Sequence, residues 1–272
     1  PDSTWRLFNY GVQPTKSTGA PVTDTCGMIR EWAEVDAEMV QLQNNARAFR
    51  LSEDMAHIQA MNNSFATAMF YGNQSTDPEQ ITGLAPRYNS ISTDVNNIGY
   101  QVVSAGGSAS TNTSIFACTW SDLSMFGIYP KGSVAGLKME DKGIETKTDA
   151  AGGLYEVYRT YYKWDCGLTV RDWRNGARLA NIDVAALTTN AATGANLMTL
   201  LTKLYYRLDD PSMGNTVMYC NRTIQEYLHH QASAKANVNL TLDTVDGKPV
   251  VRWIGIPIKR CDAIVNTEST VS

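Results

Sequence analysis

The chain has 272 residues, 43% hydrophobic and only 18% charged, which leaves room for one large domain or two or three interlocked lobes around a sizeable core. So low a charged share is unusual for an isolated, highly soluble monomer, and implies that something else covers much of the surface. The formal net charge of -4 excludes a protein that wraps DNA through dense Lys and Arg, but not a container for it.

Trp5 to Val12 has strand-like aromatic and aliphatic content, and Gln13 to Thr25 is a Pro, Thr, Ser and Gly segment without helical period. Together they read as an extended arm. Met28, Trp32, Val35, Met39 and Leu42 recur at helical spacing, with Glu31, Glu34 and Glu38 on other faces, which predicts an amphipathic helix. A longer helix follows. Leu51, Met55, Ile58, Met61, Phe65 and Met69 form one stripe, Ser52 is placed to cap it, and Glu53 and Asp54 suit the positive end of its dipole. Gly72-Asn73 ends it with residues that tolerate positive φ. A rod of about 20 residues rises about 30 Å, enough to serve as a backbone for other parts.

Beyond a polar loop, Gly99 to Val103, Ser114 to Trp120 and Met125 to Tyr129 are short β-prone runs. Ala135 to Thr148 and Leu154 to Val170 are longer ones, joined through the turn Asp149 to Gly153. In the second, Tyr155, Val157, Arg159, Tyr161 and Lys163 line one face and Tyr158, Thr160, Tyr162, Trp164 and Cys166 the other. At about 3.3 Å per residue this run reaches about 55 Å, against a radius of gyration of about 18 Å for a compact globule of this length. Such a hairpin must project or run along an edge. Aromatic residues on both of its faces then need cover, which a neighbouring subunit supplies.

Leu197, Leu200, Leu201, Leu204 and Leu208 form the stripe of a further helix, preceded by Thr193-Gly194 and stopped by Asp209-Asp210-Pro211. Thr216 to Cys220 reads as a buried strand, after which Asn221 caps a helix carrying Ile224, Tyr227 and Leu228. Gly247-Lys248-Pro249 is a turn, and Pro257 demotes the last run to an edge or bulged strand.

Local chemistry is sparse. His57 sits among apolar residues of the long helix, and His229-His230, being adjacent, do not share a helical face as a chelating pair would. Cys26, Cys118, Cys166, Cys220 and Cys261 are scattered and odd in number, which fits reduced cytoplasmic thiols better than a disulfide framework or zinc site. No nucleophile elbow, Walker loop or dinucleotide fingerprint is present, and no apolar run reaches the length of a membrane span. No cofactor or metal is expected. Arg171-Asp172-Trp173-Arg174 is the best polar cluster, read either as a surface ion pair or as an intersubunit contact. On the second reading, Arg171→Glu blocks assembly without unfolding the subunit.

Several stretches carry a resemblance. Phe49-Arg50-Leu51-Ser52-Glu53-Asp54, Phe70-Tyr71-Gly72-Asn73 and Gly83-Leu84-Ala85-Pro86-Arg87-Tyr88 resemble the major capsid proteins of short-tailed double-stranded DNA phages. So do Trp5 to Val12, Thr23 to Met28, Gly127 to Gly132, Gly167 to Asp172 and Ala180 to Asp183, so the likeness covers nearly the whole chain.

The resemblance implies an α+β chain with the Hong Kong 97-like capsid fold, in which the long helix is the spine and the order of peripheral and axial elements is rearranged. The expected division is an arm and lead-in helix over 1–48, a spine over 49–72, a loop and peripheral domain with the long hairpin over 73–182, and an axial domain over 183–272. Family members are longer at the N-terminal end, so residues before Pro1 are expected in the full protein. The implied function is a non-enzymatic shell of hexamers and pentamers around phage DNA, assembled in the bacterial cytoplasm without a membrane and with scaffolding, portal and decoration proteins as possible partners. Trp5, Arg6, Tyr155, Tyr161, Trp164, Arg171, Asp172, Trp173 and Arg174 are the candidate intersubunit contacts. The alternatives are a cytoplasmic enzyme with a loop-built site, or an encapsulin-like compartment that shares the fold.

Overall fold

The computed structural model describes residues 3–16, 19, 21–108, 110–187, 195–234, 240–245 and 248–272, with side chains described outside 232–250. The chain order is β1 (Gly27–Asp36), α1 (Ala37–Gln41), α2 (Ala46–Tyr71), α3 (Leu84–Arg87), β2 (Val102–Ser104), β3 (Asn112–Trp120), β4 (Met125–Ile128), β5 (Leu137–Thr148) and β6 (Leu154–Val170). It continues through β7 (Gly176–Asp183), α4 (Leu197–Tyr205), β8 (Asn215–Cys220), α5 (Arg222–Ala234), β9 (Leu240–Val245), β10 (Lys248–Trp253) and β11 (Ile256–Arg260).

The hairpin forms as its turn chemistry dictates. Asp149 accepts backbone N–H bonds from Ala151 and Gly153, and Gly152 adopts φ 90°, which a side chain disfavours. β6 runs 17 residues and is the middle strand of three, with β5 on one side and β1 on the other. The last four residues of β6 leave that sheet and pair with β4, which leads into a second sheet ordered β2-β7-β3-β8-β11-β10-β9.

β1 overturns the helix expected between Thr25 and Leu42. Its ladder with β6, from Gly27 opposite Cys166 to Asp36 opposite Val157, satisfies the backbone along ten residues. Ile29, Ala33 and Val35 then share the face toward α2, while Met28, Trp32 and Glu34 share the other; only α1, capped by Asp36, remains helical. The helical spacing splits Val35 from Met28 and Trp32 across the two faces of a strand, so the local pattern pointed to a helix and tertiary pairing overrode it.

The long helix is α2, 26 residues long and capped by Asn45, whose side chain accepts from the Ala48 N–H. It therefore starts earlier than Leu51, and Ser52 lies inside it rather than at its cap. Of the expected stripe, Met61 is buried and Ile58, Phe65 and Met69 are half-buried, but Leu51 and Met55 are 55% and 57% exposed. The face that turns inward near the start carries Asp54, whose carboxylate accepts from Tyr162 Oη at 3.0 Å. Gly72 ends the helix with a negative φ of -52°, not a positive one. Its reason is space: an added Cβ would lie 2.4 Å from the Ile81 carbonyl oxygen and 2.5 Å from that of Ala68.

β3 and β7 are buried on both faces, so their alternation serves two cores. Ile115, Ala117 and Leu179 meet Leu197, Leu201, Leu204, Ile224 and Leu228 of α4 and α5. Phe116, Cys118 and Ala180 face the other way, onto Phe70, Ile81, Leu84 and Tyr88 at the end of the spine. The expected boundary between residues 182 and 183 thus runs along one continuous sheet and core. Asn196 and Asn221 cap α4 and α5, the latter as expected, while Thr193, Gly194 and Gly247 lie outside the described residues.

Two further expectations are corrected. Gly99 to Gln101 form a 3-10 turn, with only Val102 onward extended. β11 is an internal strand, antiparallel to β10 and parallel to β8; Pro257 is tolerated because it pairs on the β10 side and the β8 ladder begins at Ile258.

Candidate assembly surfaces

Residues 3–16 form an arm without regular structure, so the strand-like content of Trp5 to Val12 finds no sheet within its own chain. Trp5 is 101% and Phe8 95% exposed, with Leu7, Tyr10 and Val12 also open to solvent. A local turn holds their spacing: Arg6 Nε donates to the Tyr10 carbonyl oxygen at 3.0 Å, and Asn9 adopts φ 67°. So much aromatic surface gains nothing from this fold and calls for cover from outside it.

The outer face of the β1-β6-β5 sheet has a different chemistry. Trp32 stacks on Tyr161, directly opposite in the ladder, with centroids 4.2 Å apart, and Arg159 lies over the Trp32 ring at 5.6 Å. Around them run two ion clusters. Glu34 accepts from Arg159 and Lys147, and Arg159 also reaches Glu145; Glu140 accepts from Lys138, Lys142 and Lys163. Hydrogen bonding, from Lys142 first, holds the Glu140 carboxyl at about 2, and the Lys147 hydrogen bond holds Glu34 below its usual range.

These carboxylates titrate more readily in the unfolded chain than in the folded one. Their stabilisation is therefore complete above the ordinary value of 4.5 and is lost as pH falls toward about 2. Thermal melts of the subunit should be flat from neutral pH to about 5 and decline gradually below about 4.5, because exposed ion clusters contribute modestly. A midpoint that does not change across that acid range would show that these ladders contribute nothing.

The other face of the same sheet is covered by the chain itself. Trp164 packs on Phe65 of α2 at 4.6 Å and Tyr162 is buried against Met61 and Asp54, so α2 supplies cover that a neighbour was expected to provide. Of the hairpin candidates, Tyr155 near the tip is exposed, Tyr161 is half-buried on the outer face, and Trp164 faces the spine. A groove of about 500 Å³ separates the start of α2 from the hairpin, lined by Val40, Leu51, Asp54, Met139 and Tyr158 among others.

In the polar cluster, Asp172 accepts from the Arg174 backbone N–H and from Arg174 Nε, both at 3.0 Å, and Arg174 also lies 3.5 Å from Asp209. Trp173 contributes its carbonyl to Tyr88 Oη at 2.9 Å. Arg171 is exposed and has no ion pair among the described residues, so it is the member of this cluster that is free to meet another molecule.

One arrangement escaped sequence reasoning. Arg178, in the buried strand β7, donates to Glu268 Oε2 at 3.0 Å, to Ser114 Oγ at 3.0 Å and to the Tyr88 carbonyl at 2.9 Å. Tyr71 and Ser114 hydroxyls donate to the two oxygens of the same Glu268 carboxylate. The Asn181 side-chain amide brackets Val271, donating to its carbonyl and accepting from its N–H, both at 2.8 Å. The segment 264–272 is thereby clasped between the spine end and the second sheet. A lone Arg inside Gly176-Ala177-Arg178-Leu179-Ala180 was the available signal, because a buried guanidinium requires a partner.

His57 Nδ1 lies 2.8 Å from Glu31, and His230 lies 3.6 Å from Glu226. Among the described residues no group of three or more His, Cys, Asp or Glu is placed to hold a metal, and the five cysteines are free thiols. No described helix is long and apolar enough to cross a membrane.

A 26-residue helix, a three-stranded sheet built on a 17-residue strand and a bare aromatic arm define a structural building block. The chain belongs to the family described as major capsid protein GP7, whose model matches residues 1–272. It is similar to a chain in the near-atomic cryo-electron-microscopy structure of bacteriophage epsilon15, at 42% identity and a TM-score of 0.70, covering all of this chain and 82% of that one. No curated protein matches. As a major capsid protein, the chain is a structural part of a phage virion, associates with copies of itself and is not an enzyme.

Proposed function

We propose that the subunit closes into hexamers and pentamers of an icosahedral shell around double-stranded DNA, with a Hong Kong 97-like fold in rearranged order. The arm carries this reading: Trp5 and Phe8 stand free in the isolated chain, and a neighbouring copy is the surface that buries them. Residues 1–48 act as arm and lead-in, 49–72 as spine, 73–182 as the hairpin-bearing part and 183–272 as the axial part. Many modest contacts then sum to a stable shell. Assembly takes place in the host cytoplasm, DNA is enclosed without sequence recognition, and scaffolding, portal and decoration proteins are the further partners. The enzyme and cellular-compartment alternatives are not favoured by the family.

Negative-stain electron microscopy and light scattering of the full-length protein test this. Closed shells or capsomer rings are the expected result, and Arg171→Glu should reduce them while leaving the melting midpoint unchanged. A persistent monomer or dimer, with scaffold supplied, would overturn the shell reading; normal particles from Arg171→Glu would remove that residue from the interface.

A further inference from the structure

We propose that the tip of the β10–β11 hairpin, through the Ile254 side chain, is a contact between copies of this chain; the proposal rests on the shell reading above. Trp253 pairs with Ile256, so the connection consists of Ile254 and Gly255 alone. Both have positive φ, 49° and 78°, as a tight type I′ turn requires. Asn-Gly is the sequence that suits this turn. A β-branched residue is among the least suited to its first position, because its Cβ substituents crowd the backbone at positive φ.

Local packing returns only part of that strain. Trp253 and Ile256 on either side are buried at 1% and 7% exposure, whereas Ile254 keeps 39% of its surface open. The isolated subunit thus holds an unfavourable backbone conformation at a site where Asn would relieve it, and leaves part of an aliphatic side chain open to solvent. A partner surface accounts for that choice.

The chemistry selects the partner. Trp253 to Ile258 is a run without a single charge between Arg252 and Lys259-Arg260, so the tip itself, at Ile254, suits an apolar protein surface and not a phosphate. In a shell built from one chain, the surface available to every subunit is another copy, and this chain exposes large hydrophobic side chains on several elements.

The test separates folding from assembly. Ile254→Asn in the full-length protein should raise the melting midpoint of the unassembled subunit by about 2–4 °C. The same change should raise the concentration for half-maximal shell formation about tenfold, read by light scattering and microscopy. Ile254→Asp, also tolerated at positive φ, should impair assembly further by placing a charge in the contact. Ile254→Leu should assemble like the parent. If the parent forms shells and both Ile254→Asn and Ile254→Asp do so at the parental concentration, this contact does not exist and the shell reading stands. If the parent forms none, the shell reading itself fails, and this proposal with it.

Discussion

Replacing Trp5 and Phe8 together with Ser should leave a subunit that folds normally and does not assemble. Neither side chain touches the cores described above, since both are almost fully exposed, so the melting midpoint should move by no more than about 1 °C. Burying each against a neighbour is worth roughly 2–3 kcal/mol, and losing both raises the concentration needed for assembly by about a thousandfold or more. Arg6→Ala alone, which removes the hydrogen bond to Tyr10, should have a smaller effect because it changes the shape of the arm but not its apolar area. Circular dichroism and static light scattering on the same sample read both quantities. Shells from the double variant at parental concentration would show that the arm is dispensable.

Breaking the Arg178–Glu268 pair should produce the largest loss of subunit stability. Both side chains are nearly inaccessible, at 5% and 4% exposure, so removing one partner leaves a buried charge without its counter-ion. Arg178→Met should cost about 3–5 kcal/mol, which for a chain of this size is a fall of roughly 6–20 °C in melting midpoint. The double variant Arg178→Met with Glu268→Gln should recover much of that loss, because the amide carries no charge: its oxygen can accept from the Tyr71 hydroxyl while its NH2 donates to Ser114 Oγ, the acceptor that Arg178 vacates. Equal destabilisation in the single and double variants would show that burial of apolar atoms, and not the charge pair, holds the clasp.

What was legible in the sequence was local. The Asp149 to Gly153 turn announces itself because its glycines and aspartate have one conformational use, and the alternation along β6 follows from strand geometry alone. The caps at Asn221 and the leucine stripe of α4 are likewise decided within one or two turns of chain. β1 was illegible for the opposite reason: Met28, Trp32, Val35 and Met39 follow a helical period, and only the ladder with the distant partner β6 overrides it. Leu51 and Met55 fit the helical stripe but remain open, so periodicity located the helix without locating its cover. Of the contact candidates, the exposed arm was readable from its composition. Trp164 was not, because the choice between a neighbour's cover and the chain's own depends on where α2 lies. The Arg178–Glu268 clasp joins residues 90 positions apart, and no local pattern links them.

β6 belongs to both sheets, and this gives the subunit a mechanical property. A pull on Leu154 along the strand loads the ladder with β1, which pairs Gly27 through Asp36, in shear, so that neighbouring hydrogen bonds resist together instead of opening one after another. The same covalent strand carries the load onward into β4 at Gly167 to Val170 and so to the second sheet. Tension at the hairpin tip is therefore transmitted through the molecule along a single strut, with no loop in the path to stretch.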